Sequence, residues 1–109
     1  KNPIYDFLNS HKKVMISPNS ELNVLNTNII ADTVLEMIDT NIRDEIFNLA
    51  STNSVRIGDI KNIVNFDSEY TEECEKYLQK YFVNTEKIQK YVKLSTSEES
   101  IIEYNESLK

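Results

Sequence analysis

With 109 residues and a formal net charge of −6, the chain is bounded at one domain with one modest hydrophobic core. One Gly and two Pro are too few for the tight turns of an all-β fold, and the acidic balance lacks the basic footprint of a duplex binder. The same charge disfavours anionic membranes, and no apolar run approaches the roughly 20 residues of a bilayer span. Cys74 is the one cysteine, which rules out an internal disulfide and fits a reducing, intracellular setting, cytoplasmic or nuclear. The chain starts at Lys1 rather than Met, so we expect an excised domain or processed product of a larger protein.

Asn2-Pro3 is a cap-plus-proline start for a short helix with Ile4, Phe7 and Leu8 on its apolar side. That helix should end at His11-Lys12-Lys13, cations at a negative helix terminus. Val14-Met15-Ile16 is an apolar connector. Ser17-Pro18 repeats the start signal ahead of Leu22, Val24 and Leu25. Asn26-Thr27-Asn28 then caps the longest periodic segment, a helix expected over Thr27 to Ala50. Its stripe runs Ala31, Leu35, Ile38, Ile42, Ile46 and Leu49, widened by Ile30, Val34 and Met37. A face that wide belongs in a core.

Ser51 to Ser54 is the clearest loop. Val55-Arg56-Ile57, two-thirds β-branched, predicts one short strand. Gly58-Asp59 starts a helix carrying Ile60, Ile63 and Val64. Asp67 or Ser68 caps a longer helix with an apolar stripe of Tyr70, Cys74, Tyr77, Leu78, Tyr81 and Phe82. Asn84-Thr85 restarts or kinks it, and Ile88, Tyr91, Val92 and Leu94 continue the burial. Thr96 with Glu99 fits a capping box, so Ile101 to Leu108 forms a last helix or frays. The expected architecture is all-α: a compact bundle of five to six helices, with residues 1–95 as a single helical domain and 96–109 as a tail or terminal helix.

The order strand, short helix, turn and longer helix over Val55 to Phe82 resembles a helix-turn-helix inside a winged-helix domain. Ile60, Ile63, Val64, Phe66, Cys74 and Leu78 fall where such a core wants apolar groups, while Thr71 departs from it. The resemblance implies a recognition helix over Glu69 to Lys80. That segment holds Glu69, Glu72, Glu73 and Glu75 against Lys76 and Lys80, and phosphates repel carboxylates. A second, looser resemblance over Asn2 to Val64 is to the histone fold, without its basic surface.

Enzyme chemistry finds no footing. His11 is the sole histidine and sits beside two lysines. Cys74 lies on an apolar stripe among acids, the opposite of an activated thiol. Gly58 alone cannot cradle a phosphate. Asp32, Glu36 and Asp39 share one helix face, which offers a hard cation too few oxygen ligands. The expectation is a non-enzymatic, acidic protein–protein interaction module, with no cofactor or metal, whose partner presents a basic or apolar surface. The alternative is a winged-helix nucleic-acid binder, whose basic face would be Lys61, Lys76, Lys80, Lys87, Lys90 and Lys93.

Overall fold

The computed structural model describes residues 4, 5, 8, 13–64 and 69–108. Asn2-Pro3, Phe7, His11-Lys12, Phe66 and the Asp67-Ser68 cap lie outside them. Two strands and four α-helices follow in chain order: β1 (Glu21–Leu22), α1 (Thr27–Asp39), β2 (Val55–Arg56), α2 (Ile60–Ile63), α3 (Glu86–Gln89) and α4 (Ser97–Ser107). Single 3-10 turns occupy Ile57–Asp59 and Cys74–Lys76. Ile4, Tyr5 and Leu8 are helical.

The expected all-α bundle of five to six helices is not formed. Only α1 and α4, of 13 and 11 residues, exceed one turn among these four helices. They share the molecule with an antiparallel sheet in which Glu21 faces Arg56 and Leu22 faces Val55.

Two departures account for the difference. First, the long helix stops at Asp39 rather than Ala50. Asn41 (φ 60°) and Asp44 (φ 57°) take the left-handed conformation, which Asn and Asp tolerate better than other side chains. The last turn closes through Thr40, whose N–H and hydroxyl both donate to the Met37 carbonyl. Second, the stretch expected as the Tyr70 to Phe82 helix forms no α-helix: Cys74–Lys76 is a single 3-10 turn, and Tyr70 and Lys80 sit in isolated bridges. A helix there would stack Glu69, Glu72, Glu73 and Glu75 at spacings of three and four, where like charges repel. Its backbone pairs with residues 14–21 instead. The Val14 N–H donates to the Glu69 carbonyl at 2.7 Å, the Ser17 N–H to Tyr77 at 3.1 Å and the Glu21 N–H to Gln79 at 2.9 Å. The intended recognition helix is therefore absent, and the winged-helix reading falls with it.

Where local chemistry is strong, the elements form as their residues dictate. The Asn26 side chain accepts from the Asn28 N–H at 2.8 Å and caps α1. Thr96 does the same for α4 through the Glu99 N–H at 3.1 Å. The strand at Val55 forms and passes directly into a helical turn at Gly58. There the N–H lies 2.8 Å from the Pro18 carbonyl. A Cβ would sit 3.1 Å from that oxygen, closer than ordinary contact, so glycine suits the crossing.

The main core gathers Ile4, Val14, Val55, Ile57, Ile60, Val64 and Ile101. Ile57, Ile60 and Ile101 are fully enclosed, so α4 closes the core over β2 and α2. A smaller cluster of Ile88, Val92 and Leu94 packs against Met37, Phe47 and Leu49. Two separate clusters fit an elongated body: the radius of gyration is 15.5 Å, against about 13 Å for a compact chain of this length.

Between the clusters lies a polar clasp. The Asn23 side chain donates to the Ser51 carbonyl at 2.8 Å and accepts from the Ser51 N–H at 2.9 Å. The Ser51 hydroxyl donates to the Val24 carbonyl. The Val24 N–H donates to the Ser97 hydroxyl at 3.0 Å, which in turn donates to the Asn53 carbonyl at 2.7 Å. Asn53 accepts from the Ser97 N–H at 2.9 Å, satisfying a donor that α4 leaves free at its start. Ser51 and Ser97 are fully buried, so their hydroxyls depend on these partners.

Truncating Ile101 to Ala should cost about 2–4 kcal/mol, as for enclosed aliphatic side chains. Ile46→Ala, at a position 86% exposed, should stay within about 0.5 kcal/mol. Urea melts of the two variants distinguish this packing from the sequence period, which places Ile46 in the core.

Candidate interaction surfaces

The face of α1 read as core is partly turned outward. Thr33 is its one buried residue, with its hydroxyl donating to the Ile29 carbonyl at 2.8 Å. Ile29, Ile30 and Met37 are half-buried on the same side. At 100° per residue, Ala31, Val34, Leu35 and Ile38 fall on the opposite side. Val34, Leu35 and Ile38 are 45%, 61% and 59% exposed.

Asp39, Asp32 and Glu36 occupy the flank beyond Leu35. All three are exposed, and none forms an ion pair among the described residues. On the other flank Val34, Met37 and Ile38 face Ile42, Phe47, Leu49 and Ile88 across an open groove of about 350 Å³, with Arg43 and Glu45 at its mouth. Lys87 fixes that wall. Its ammonium is 2.6 Å from the Glu45 carboxylate and 2.8 Å from the Ile46 carbonyl. It also lies 4.9 Å from the centre of the Phe47 ring, which meets Tyr91 edge-on.

The six lysines of the expected basic face lie on separate elements. Lys61 is in α2, Lys76 in a 3-10 turn, Lys80 on the extended segment, Lys87 in α3, and Lys90 and Lys93 just after it. Three already have carboxylate partners: Lys76 with Glu73 at 3.2 Å, Lys80 with Glu21 at 3.7 Å, and Lys87 with Glu45. Lys90 and Lys93 border one shallow depression with Gln89 and Tyr91.

No three His, Cys, Asp or Glu side chains among the described residues come together as a metal site. Cys74 is buried and free, but of its expected stripe only Tyr70 is part-buried with it. Tyr77, Leu78, Tyr81 and Phe82 are exposed. A mostly apolar cleft of about 400 Å³ runs between Ile4, Leu22, Val24, Leu25, Tyr81 and Tyr104. Ser100 also lines it, with a buried hydroxyl that has no hydrogen-bond partner among the described residues.

Sequence reasoning placed the α1 stripe but took its full width as buried. The available signal was Asn41, a left-handed helix stop that shortens α1. The exposed aromatic segment carried a strand signal in its run of Tyr, Phe and Val. Compared with known protein families and with curated proteins, the chain matches none. No helix among the described residues is long and apolar enough to cross a membrane.

Burial raises the Tyr70 hydroxyl above its ordinary value of 10.0, helped by the neighbouring Cys74 and opposed by Arg56. Folded Tyr70 keeps its proton at a pH where the unfolded chain has lost it. Its contribution to stability is complete below about pH 10 and is lost as pH rises through the folded value. Denaturant melts at about pH 9 and about pH 11 should show a steeper loss for the wild type than for Tyr70→Phe.

Proposed function

We propose that the chain is a non-enzymatic, acidic protein–protein interaction module of a larger intracellular protein or assembly. Its docking face is the outer side of α1 with the adjoining groove, and its partner is a basic amphipathic helix. The observation that carries this reading is the exposed Val34, Leu35 and Ile38 row beside the carboxylates of Asp32, Glu36 and Asp39, which form no ion pair among the described residues. Apolar anchors at i, i+1 and i+4 suit a helix laid into a groove. The carboxylates select cations along one edge of that helix and speed its encounter. Nucleic acid is disfavoured by the same charges, and a net charge of −6 adds long-range repulsion.

Isothermal titration with a synthetic Leu/Lys amphipathic helical peptide tests this reading. Each buried Leu or Ile contributes about 1.5–3 kcal/mol, so Leu35→Asp and Ile38→Asp should each weaken binding by about tenfold or more. Ile46→Ser should leave it unchanged, and thermal melts should show all three variants folded. Equal weakening by all three, or none by the α1 variants, would remove the docking face.

A further inference from the structure

The extended segment that replaces the expected recognition helix carries a second, independent surface. Tyr77, Leu78, Tyr81 and Phe82 are 47%, 53%, 55% and 88% exposed, the densest run of exposed large apolar side chains described in the chain. Its backbone is held on one side only. The Glu21 N–H donates to the Gln79 carbonyl and the Tyr81 N–H to the Glu21 carbonyl, both at 2.9 Å, making a parallel bridge between Glu21 and Lys80. The other side of β1 is occupied by β2.

In a parallel bridge of this kind, Gln79 and Tyr81 turn their polar groups toward β1. The residue between them turns its own away. The N–H and carbonyl of Lys80 therefore face an open edge, and neither has a hydrogen-bond partner among the described residues. Leu78 and Phe82 flank it at steps of two, on the same face as the Lys80 side chain.

We propose that residues 78–82 bind an extended peptide by strand addition. That peptide presents an acidic side chain opposite Lys80 and apolar side chains opposite Leu78 and Phe82. The backbone edge dictates a strand as occupant, and main-chain hydrogen bonds supply the register. Charge dictates its middle residue, because opposite charges across a strand pair stabilise and like charges destabilise. The same argument disfavours a second copy of this chain in that register. Antiparallel self-pairing centred on Lys80 sets ammonium against ammonium, the device by which native edges resist self-association. The existing Lys80–Glu21 pair, 3.7 Å apart and exposed on both sides, is weak enough for a further carboxylate to join or replace it.

The test is a nuclear magnetic resonance titration of the isotopically labelled chain. The probe is the capped peptide Thr-Val-Thr-Glu-Thr-Val-Thr, and its control carries Lys in place of Glu. The acidic peptide should perturb the amides of Leu78, Lys80 and Phe82, slow exchange of the Lys80 N–H, and bind about fivefold tighter than the control. Lys80→Pro removes the outward N–H without removing any internal hydrogen bond. It should weaken binding by about tenfold or more, with the amide spectrum of the main core unchanged. Lys80→Glu should reverse the preference between the two peptides, and this arm stands even if the proline variant misfolds. Equal binding of both peptides, an unreversed preference, or perturbations confined to α1 would overturn the proposal. The last result would leave the α1 docking face intact.

Discussion

The fold depends on a buried polar clasp that joins three distant pieces of chain. Asn23 and Val24, the loop Ser51 to Asn53, and the start of α4 at Ser97 are separated by many residues, yet each supplies partners to the other two. The Thr52 N–H adds a bond to the Ser95 carbonyl at 3.0 Å. Asn53 also donates to the Glu98 carboxylate at 2.9 and 3.0 Å. Removing one member would strand buried donors or acceptors, at about 1–3 kcal/mol for each group left unpaired. The clasp thereby sets where α4 begins, and with it the angle at which Ile101 enters the main core.

That constraint also explains why so much apolar surface remains outside. With the loop at Ser51 tied to Asn23, β2 starts immediately after it and the chain between α1 and the loop must return along one side of α1. Phe47 and Leu49 follow that path and meet Ile88 in the small second cluster. One side of α1 is then covered and the other is not. A second polar pair acts similarly on the extended segment. The Ser20 hydroxyl accepts from the Gln79 N–H at 3.0 Å, and the Ser17 hydroxyl donates to Glu75 at 3.0 Å. Fully buried, Ser17 and Ser20 hold residues 75–81 beside β1 and leave their aromatic side chains exposed. Both proposed docking surfaces are thus consequences of polar fixing rather than of apolar packing.

Local features were legible in the sequence because their chemistry is local. Asn26 and Thr96 cap helices through N–H groups two and three residues away, and Val55 forms a strand where β-branched residues cluster. The end of α1 was harder, since Ile42 and Ile46 prolong its period past the point where Asn41 reverses the backbone. Tyr70 to Phe82 was misread as helix because its apolar spacing suits either structure. The choice is made by Val14, Ser17 and Glu21, more than fifty residues away. The clasp left no sequence signal at all: Ser51, Asn53 and Ser97 look like ordinary loop and cap residues until their partners are known. The carboxylates of the candidate docking face were visible as a run of acids, but whether the neighbouring Leu35 and Ile38 were buried depended on the path of residues 42–49.

Native-state hydrogen exchange reads the clasp most directly. The amides of Val24, Ser51, Thr52 and Ser97 donate within it or beside it, whereas the Ile57 and Val64 amides report the main core. If the clasp organises the fold, all six should open together, with one common free energy that equals global unfolding. Exchange of the clasp amides at the rate of the exposed turn around Asn41 and Asp44, while Ile57 and Val64 stay protected, would show that the core holds without it.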